Sequence, residues 1–404
     1  MNTQKSLPAG RQVKDHRQIG RELDLFSFHE VAPGAIFWHP KGWLIYQTLI
    51  DFIREKSKKD GYQEISTPVM IKTKLLEKSG HLKHFGESIF HLKVDSEDYS
   101  LKPMNCPEST IVYSSKIRSY QDLPLRFSEF GILNRRELSG VLGGLLRVRQ
   151  FVIDDAHLFV RRDQIQEEIH KLLLLVMDVY KTLDFVPKFY LATRPKKAMG
   201  DTKSWQEAEK DLEKALKTTK FVIKPKEGAF YGPKIDIHIN DSQDRDWQLA
   251  TIQLDFQIPQ SMKLSYVTQT GTKEMPVMIH RGIFGSLERF IGILLEHTQG
   301  NLPFWLSPIQ VIVLPISDKV ATYAHDIFEE LKVASIRAEI DLRNERLEAK
   351  IRNASLQKIP YLLVIGEKEK EGQKVTVRTR QGKDLGQMEI SAFKKKISDE
   401  NSNT

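Results

Sequence analysis

Residues 147–159 read RVRQFVIDDAHLF. In an extended chain successive side chains point to opposite faces. One face then carries Arg147, Arg149, Phe151, Ile153, Asp155 and His157, and the other carries Val148, Gln150, Val152, Asp154 and Ala156. The first face cannot be a simple packed core, because buried charges need partners. It is either a solvated sheet face laced with ion pairs or a face that holds a ligand. The second reading accounts for the aromatic ring, with guanidinium groups for phosphate and a ring on which a base can stack.

The surrounding pattern supplies the sheet. Period-two runs at 124–133, 146–153, 234–239 and 247–256 predict the strands of an antiparallel sheet flanked by helices. Helical spacing of Trp43, Leu44, Gln47, Leu49, Ile50 and Ile53 predicts a helix over 41–59. Ile165, Ile169, Leu172, Leu173, Val176, Val179 and Leu183 make one apolar stripe over 163–184. The region is α+β. After NLPFWLSP at 301–308 the chain changes character. QVIVLP, a helix at 318–333, IRAEID, a helix at 345–357 and PYLLVIG alternate, which implies a small α/β domain with a mostly parallel sheet. The expected layout is a flexible N-terminus at 1–14, a first domain at 15–304, a second at 305–397 and a disordered tail at 398–404.

The chain has 404 residues, 40% hydrophobic and 28% charged, which suits an ordinary globular protein with two or three domains. Its single cysteine rules out an intrachain disulfide framework and suits a reducing, cytoplasmic setting. The longest apolar run, LLLLVM at 172–177, is too short to span a bilayer, so no membrane role is expected. The N-terminus is basic but lacks the apolar centre of a secretory signal. A net charge of +8 is compatible with a polyanionic partner such as nucleic acid, although both signs of charge are interspersed.

The lone thiol, Cys106, sits in LKPMNCPES. A small buried apolar residue, a metal ligand and a nucleophile are all open readings of it. Two more stretches carry charge into apolar patterns. LPLRFSEFGILNRRELSG (123–140) interrupts a strand with arginines, and HRGIFGSLERFIGILLEH (280–297) places Gly285 and Ser286 near a helix start. There Leu287, Phe290, Ile291 and Leu294 form a buried stripe that leaves Arg289 aside, where it can clamp phosphate.

Together these strings resemble motifs 2 and 3 of the class II aminoacyl-tRNA synthetases. KPMNCP, LPLRFSEFG, RVRQF, DDAH, GAFYGPKID and MPVMIHR resemble the threonyl-tRNA synthetases, in order, from about residue 15 to 397. The resemblance implies a class II catalytic domain followed by an anticodon-binding domain, and threonine–tRNA ligase activity by way of threonyl-adenylate. It implies one zinc ion per chain held by Cys106, His157 and His280, far apart in sequence and matching no local metal motif. Three protein ligands leave an open position, the mark of a working zinc. With Cys106 as helix N-cap and Pro107 as first helical residue, the helix dipole favours the thiolate. In the family the zinc takes the amino and hydroxyl groups of threonine, which rejects valine.

By the same resemblance Asp155 accepts the substrate hydroxyl and Tyr231 lies beside the amino group. Arg135 binds the α-phosphate and a threonine carboxylate oxygen. Glu137 and Phe151 hold adenine, Arg147 and Arg289 hold the triphosphate with magnesium, and Gln248 contacts the ribose. His81 and Gln253 lie near the terminal tRNA ribose, with Gln253 also at the threonine pocket and the histidine assisting deprotonation. Asn344, Arg352, Glu369 and Arg378 read the anticodon of threonine tRNA. A homodimer is implied.

The chain departs from the family pattern at Glu108 and Ser109, at Ile153 where glutamine is common, and at Leu249 and Ala250 where smaller residues are usual. Those positions bear on the packing of the amino-acid pocket. The family's N-terminal ubiquitin-like and editing domains have no counterpart ahead of residue 15. Seryl-tRNA would then be cleared by a separate trans-editing protein, tolerated, or avoided by a sharper pocket. The rival readings are a non-catalytic RNA-binding regulator and a seryl or prolyl synthetase. The first would have lost motif arginines or ligands, and the trio argues against the second.

Overall fold

The computed structural model describes residues 13–217 and 219–402. They fall into two compact units. Residues 28–36 and 50–294 form the first, and residues 13–27, 37–49 and 295–402 form the second, a division that a single cut near residue 305 does not reproduce. Within the second unit the short strands Phe26–Ser27 and Phe37–Trp38 pair, and the buried His16 Nδ1 lies 2.6 Å from Glu296 Oε1. The expected flexible N-terminus lies outside the described residues up to residue 12; beyond it, the Lys14 N–H donates to Gln299 Oε1.

The first unit is built on an eight-stranded sheet. In spatial order its strands are Phe221–Lys224, Lys188–Ala192, Lys234–Asn240, Asp246–Asp255, Val277–Ser286, Gln150–Val160, Leu125–Asn134 and Gln63–Glu64. The two outer pairs are parallel and the rest antiparallel. The helix Ile165–Thr182 forms where the apolar stripe predicts it, with Ile165, Ile169, Leu172, Leu173, Val176 and Val179 at most 2% exposed. Burying such side chains gains roughly 1.5–3 kcal/mol each relative to exposure, which places the helix against the core. The other long helix, Pro40–Lys59, also matches its pattern.

One strand starts later than its sequence predicts. The charged face was expected to run from Arg147, yet the strand begins at Gln150. Arg149 turns away before it, donating to the carbonyls of Glu137 and Pro33 and to Ser139 Oγ. Those three bonds make it a structural tie rather than a ligand-facing cation.

The second unit has a five-stranded sheet ordered Ala338–Ile340, Val311–Pro315, Tyr361–Ile365, Val375–Thr379, Asp384–Met388. The first three strands are parallel and the last two antiparallel. Val311 and Val313 face one core cluster and Ile312 and Leu314 the other, so this strand is covered on both sides. The helix Ile390–Ser402 runs into the segment expected as a tail. Phe393 and Ile397, 0% and 2% exposed, anchor its apolar side and draw the polar end into helix. The last two residues lie outside the described ones.

Candidate active site

Strand pairing gathers what the sequence separates. His157 on Gln150–Val160 is the direct cross-strand partner of His280 on Val277–Ser286, and His280 is in turn paired with Gln253. The two imidazole rings lie 5.1 Å apart at 85°. Cys106 comes from the start of the helix Cys106–Ser114. It is the first helical residue with Asn105 ahead of it, one position later than expected.

Ligand atoms of Cys106, His157 and His280 lie within 4.8 Å of one another, all three residues buried, in the one such cluster among the described residues. Does the set fit a metal ion? His157 Nε2 is buried and has no hydrogen-bond partner among the described residues. An orphaned buried polar atom is costly. Burial holds His157 well below the usual imidazole range, in its neutral, ligating form. Burial pushes the Cys106 thiol up, so a thiolate here needs a cation beside it. The donor set, one thiolate and two imidazoles, is that of a catalytic zinc site with one open position.

Several groups line the approach. Asn105 Nδ2 donates to Asp155 Oδ2 at 3.2 Å, and burial pushes the Asp155 carboxyl up to about 6. Tyr231 donates its hydroxyl to Gln253 Oε1 and its ring lies 5.1 Å from that of His280. His81 is fully buried, between Ser79 Oγ at 2.8 Å and Cys106 Sγ at 3.3 Å. Burial lowers His81 to about 3, so it is neutral. Phe230 stands edge-on to it and stacks on His84 at 4.1 Å.

Arg135, Glu137, Arg147, Phe151, Gln248 and Arg289 all line a single cavity of about 480 Å³. The Arg135 guanidinium lies 5.0 Å over the Phe151 ring and that of Arg289 5.4 Å over Trp247. Arg289 Nε is buried without a hydrogen-bond partner among the described residues. Burial, and Arg147 nearby, lower its affinity for its proton. Arg147 is bound to Glu137 Oε2 at 2.8 Å. Gln248 donates to the buried Asp236, which Lys234 also holds.

Of the departures, Ile153 and Leu249 line this cavity and Ala250 is fully buried beneath it. Ser109 Oγ donates to the Cys106 carbonyl, and both Glu108 oxygens are buried without a hydrogen-bond partner among the described residues. Burial pushes the Glu108 carboxyl up to about 8.

Sequence reading missed Asp154, which shapes the cavity floor. Between Gly282 and Ser286 the strand bulges, four steps answering to two on its neighbour. Asp154 accepts the freed N–H groups of Ile283 and Phe284 at 2.9 Å each and faces Arg281 at 3.4 Å. Gly285 follows at φ +68°, with the Leu249 carbonyl 3.2 Å from where a Cβ would stand. Its conformation and crowding both favour glycine. The Arg289 N–H then donates to Ser286 Oγ. Nothing in DDAH as a string separates Asp154 from Asp155; only strand alternation does.

The four expected anticodon residues all lie in the second unit. Asn344 and Arg352 are exposed. Arg378 Nη2 is 3.4 Å from Asp384. Glu369 is 9% exposed and its carboxylate already accepts from Gly366, Thr376 and Gln387.

Comparison with known proteins decides the family. Residues 90–298 match the tRNA synthetase class II core domain (G, H, P, S and T), and residues 310–400 match the anticodon binding domain. A crystal structure described as the RNA binding domain of threonyl-tRNA synthetase from Cryptosporidium parvum superposes with a TM-score of 0.92 at 41% identity, covering 96% of this chain and 98% of that one. The chain belongs to the threonyl-tRNA synthetase family. The threonine–tRNA ligase of Dichelobacter nodosus is 47% identical over 388 residues, 95% of this chain and 61% of its own length. That of Legionella pneumophila (strain Philadelphia 1) is 50% identical over 385 residues, 95% of this chain and 60% of its own. The chain thus spans about three-fifths of the curated threonyl-tRNA synthetases it matches. No helix among the described residues is long and apolar enough to cross a membrane.

Proposed function

We propose that this chain joins threonine to its tRNA in two steps, activation by Mg-ATP and transfer to the terminal ribose. The observation that carries the reading is the buried Cys106–His157–His280 cluster beside a cavity lined by arginines. A bound zinc ion would supply a Lewis-acidic position for the amino and hydroxyl groups of the amino acid.

The chain's own groups do the rest. Asp155 accepts the substrate hydroxyl, and the Tyr231–Gln253 pair borders the amino group. A pocket built to bind a hydroxyl rejects valine, which would leave one Asp155 oxygen without the donor it is placed to meet, far better than an apolar pocket could. Arg135 holds the α-phosphate and the attacking carboxylate together. Arg289 and Arg147 hold the outgoing pyrophosphate; charge placed where it develops is the largest catalytic contribution. Glu137 and Phe151 hold adenine and Gln248 the ribose. His81, neutral and buried against Ser79 and Cys106, assists deprotonation of the tRNA ribose hydroxyl. Asn344, Arg352 and Arg378 read the anticodon, with Glu369 ordering the surface they stand on. The working form is a homodimer in a reducing, cytoplasmic setting.

The test is ATP–pyrophosphate exchange with each amino acid in turn, together with elemental analysis of the same sample. Threonine-dependent exchange and about one zinc per chain are expected, with serine activated 10- to 200-fold less well because it lacks only a methyl. RNA binding without exchange for any amino acid would establish the regulatory reading instead.

A further inference from the structure

We propose that Asp255 sets His280 for the metal and is a positioning residue for amino-acid selection. The inference rests on the reading of Cys106, His157 and His280 as zinc ligands. Asp255 ends the strand Asp246–Asp255 and is 0% exposed. Its two oxygens have separate tasks. Oδ1 accepts the N–H groups of Gln257 at 2.7 Å and Ile258 at 3.0 Å, in the first turn of the helix Gln257–Met262. Oδ2 lies 2.9 Å from His280 Nε2.

The register explains the reach. Gln253 pairs directly with His280 and Asp255 with Met278, so Asp255 is the diagonal neighbour of His280 across the ladder. A carboxylate gripped by two main-chain N–H groups cannot turn without leaving them unpaired in a dry interior. Oδ2 is therefore a fixed point. A carboxylate accepts and does not donate, so the proton of the neutral ring sits on Nε2 and the other nitrogen presents its lone pair.

The second histidine shows which of its nitrogens is left for the ion. His157 Nε2 is 3.8 Å from Asp155 Oδ1, beyond hydrogen-bond range, and has no other partner among the described residues. Asp255 also steadies the third ligand, because Ile258 and Met262 on the helix it holds pack in one cluster with Cys106.

The test is Asp255→Asn in the full chain. Asparagine keeps an oxygen for the Gln257 and Ile258 amides but removes the acceptor at Nε2. Zinc affinity of the metal-stripped protein is measured by competition with a chromophoric chelator. A loss of about 10- to 100-fold is expected. KM for threonine should rise, KM for ATP should hold, and the melting temperature of the stripped protein should stay near the parent's. Affinity within about twofold of the parent overturns the role of Asp255 while leaving the zinc site standing. A parent protein that takes up no zinc overturns the zinc reading and this one together. If Asp255→Asn does not fold, the imidazole ¹⁵N signals of the zinc-loaded parent decide, with His280 identified by its loss in His280→Gln. Protonated Nε2 is expected; metal-bound Nε2 overturns the proposal.

Discussion

The proposed metal end of the site and the arginine-lined cavity beside it, its proposed nucleotide end, are organised on opposite principles. At the metal end the polar groups are already bound to one another: Asp255 holds His280, Asn105 holds Asp155, Ser79 and Cys106 hold His81, and Tyr231 holds Gln253. At the nucleotide end the key cations rest on aromatic rings, Arg135 over Phe151 and Arg289 over Trp247. A ring attracts a guanidinium by roughly 0.5–2 kcal/mol without using its N–H donors. Apart from the Arg135 Nε–H, which donates to the Pro103 carbonyl at 3.3 Å, the rings leave the guanidinium donors for the proposed phosphates while holding each side chain in place. On the proposed reading the difference follows from the task of each end: one would discriminate between small molecules differing by a single group, and the other would yield to a large, charged ligand.

The comparison breaks most visibly if the arginines prove dispensable. Arg135→Ala and Arg289→Ala should each lower threonine-dependent exchange by about 100- to 1000-fold, the effect of losing one preorganised charge contact worth roughly 3–4 kcal/mol. Exchange within a few-fold of the parent for either variant would remove it from the reacting phosphates. At the metal end, Asp155→Asn loses a charge-assisted hydrogen bond worth about 1.5–3 kcal/mol, a 10- to 150-fold change. That loss should fall on threonine and spare valine, narrowing the ratio of their exchange rates. An equal fall for both amino acids would separate Asp155 from the hydroxyl. The smallest effect sharpens the contrast. Trp247→Leu should raise KM for ATP only about two- to five-fold, since a ring contact that is not fully desolvated contributes about 0.5–1 kcal/mol. KM for threonine should not move, and a shift in it instead would merge the two ends.

Local pattern carried much of the fold, and the reasons differ by element. The stripe from Ile165 to Val179 repeats at helical spacing because those residues cover one face of the sheet, so periodicity suffices to find the helix. The face of Phe151, Ile153, Asp155 and His157 is legible for the same reason at period two. Arg149 escaped because its three bonds run to loop groups whose position no local rule foretells. The polar end of Ile390–Ser402 escaped because Phe393 and Ile397 hold the helix by tertiary packing. The cluster of Cys106, His157 and His280 is a product of strand pairing, and spacing holds no trace of it; only resemblance brought the three together. Asp255 did leave a signal, since an aspartate two residues ahead of Gln257-Ile258-Pro259 resembles a helix entrance.

The bulge pinned by Asp154 makes the strand Val277–Ser286 a gauge block. His280 stands near one end and Arg289 is set just past the other, so the span between the residue proposed to read the side chain and the one proposed to grip the phosphates is a main-chain dimension rather than a choice of rotamer. Side chains alternate along a strand, so one residue added or removed between 282 and 286 would turn one reader away from the other while leaving each intact. On the proposed function, calibration of this kind would also measure the substrate. An amino acid lengthened by one carbon between its amino and carboxyl groups could satisfy either jaw of the caliper, but not both at once.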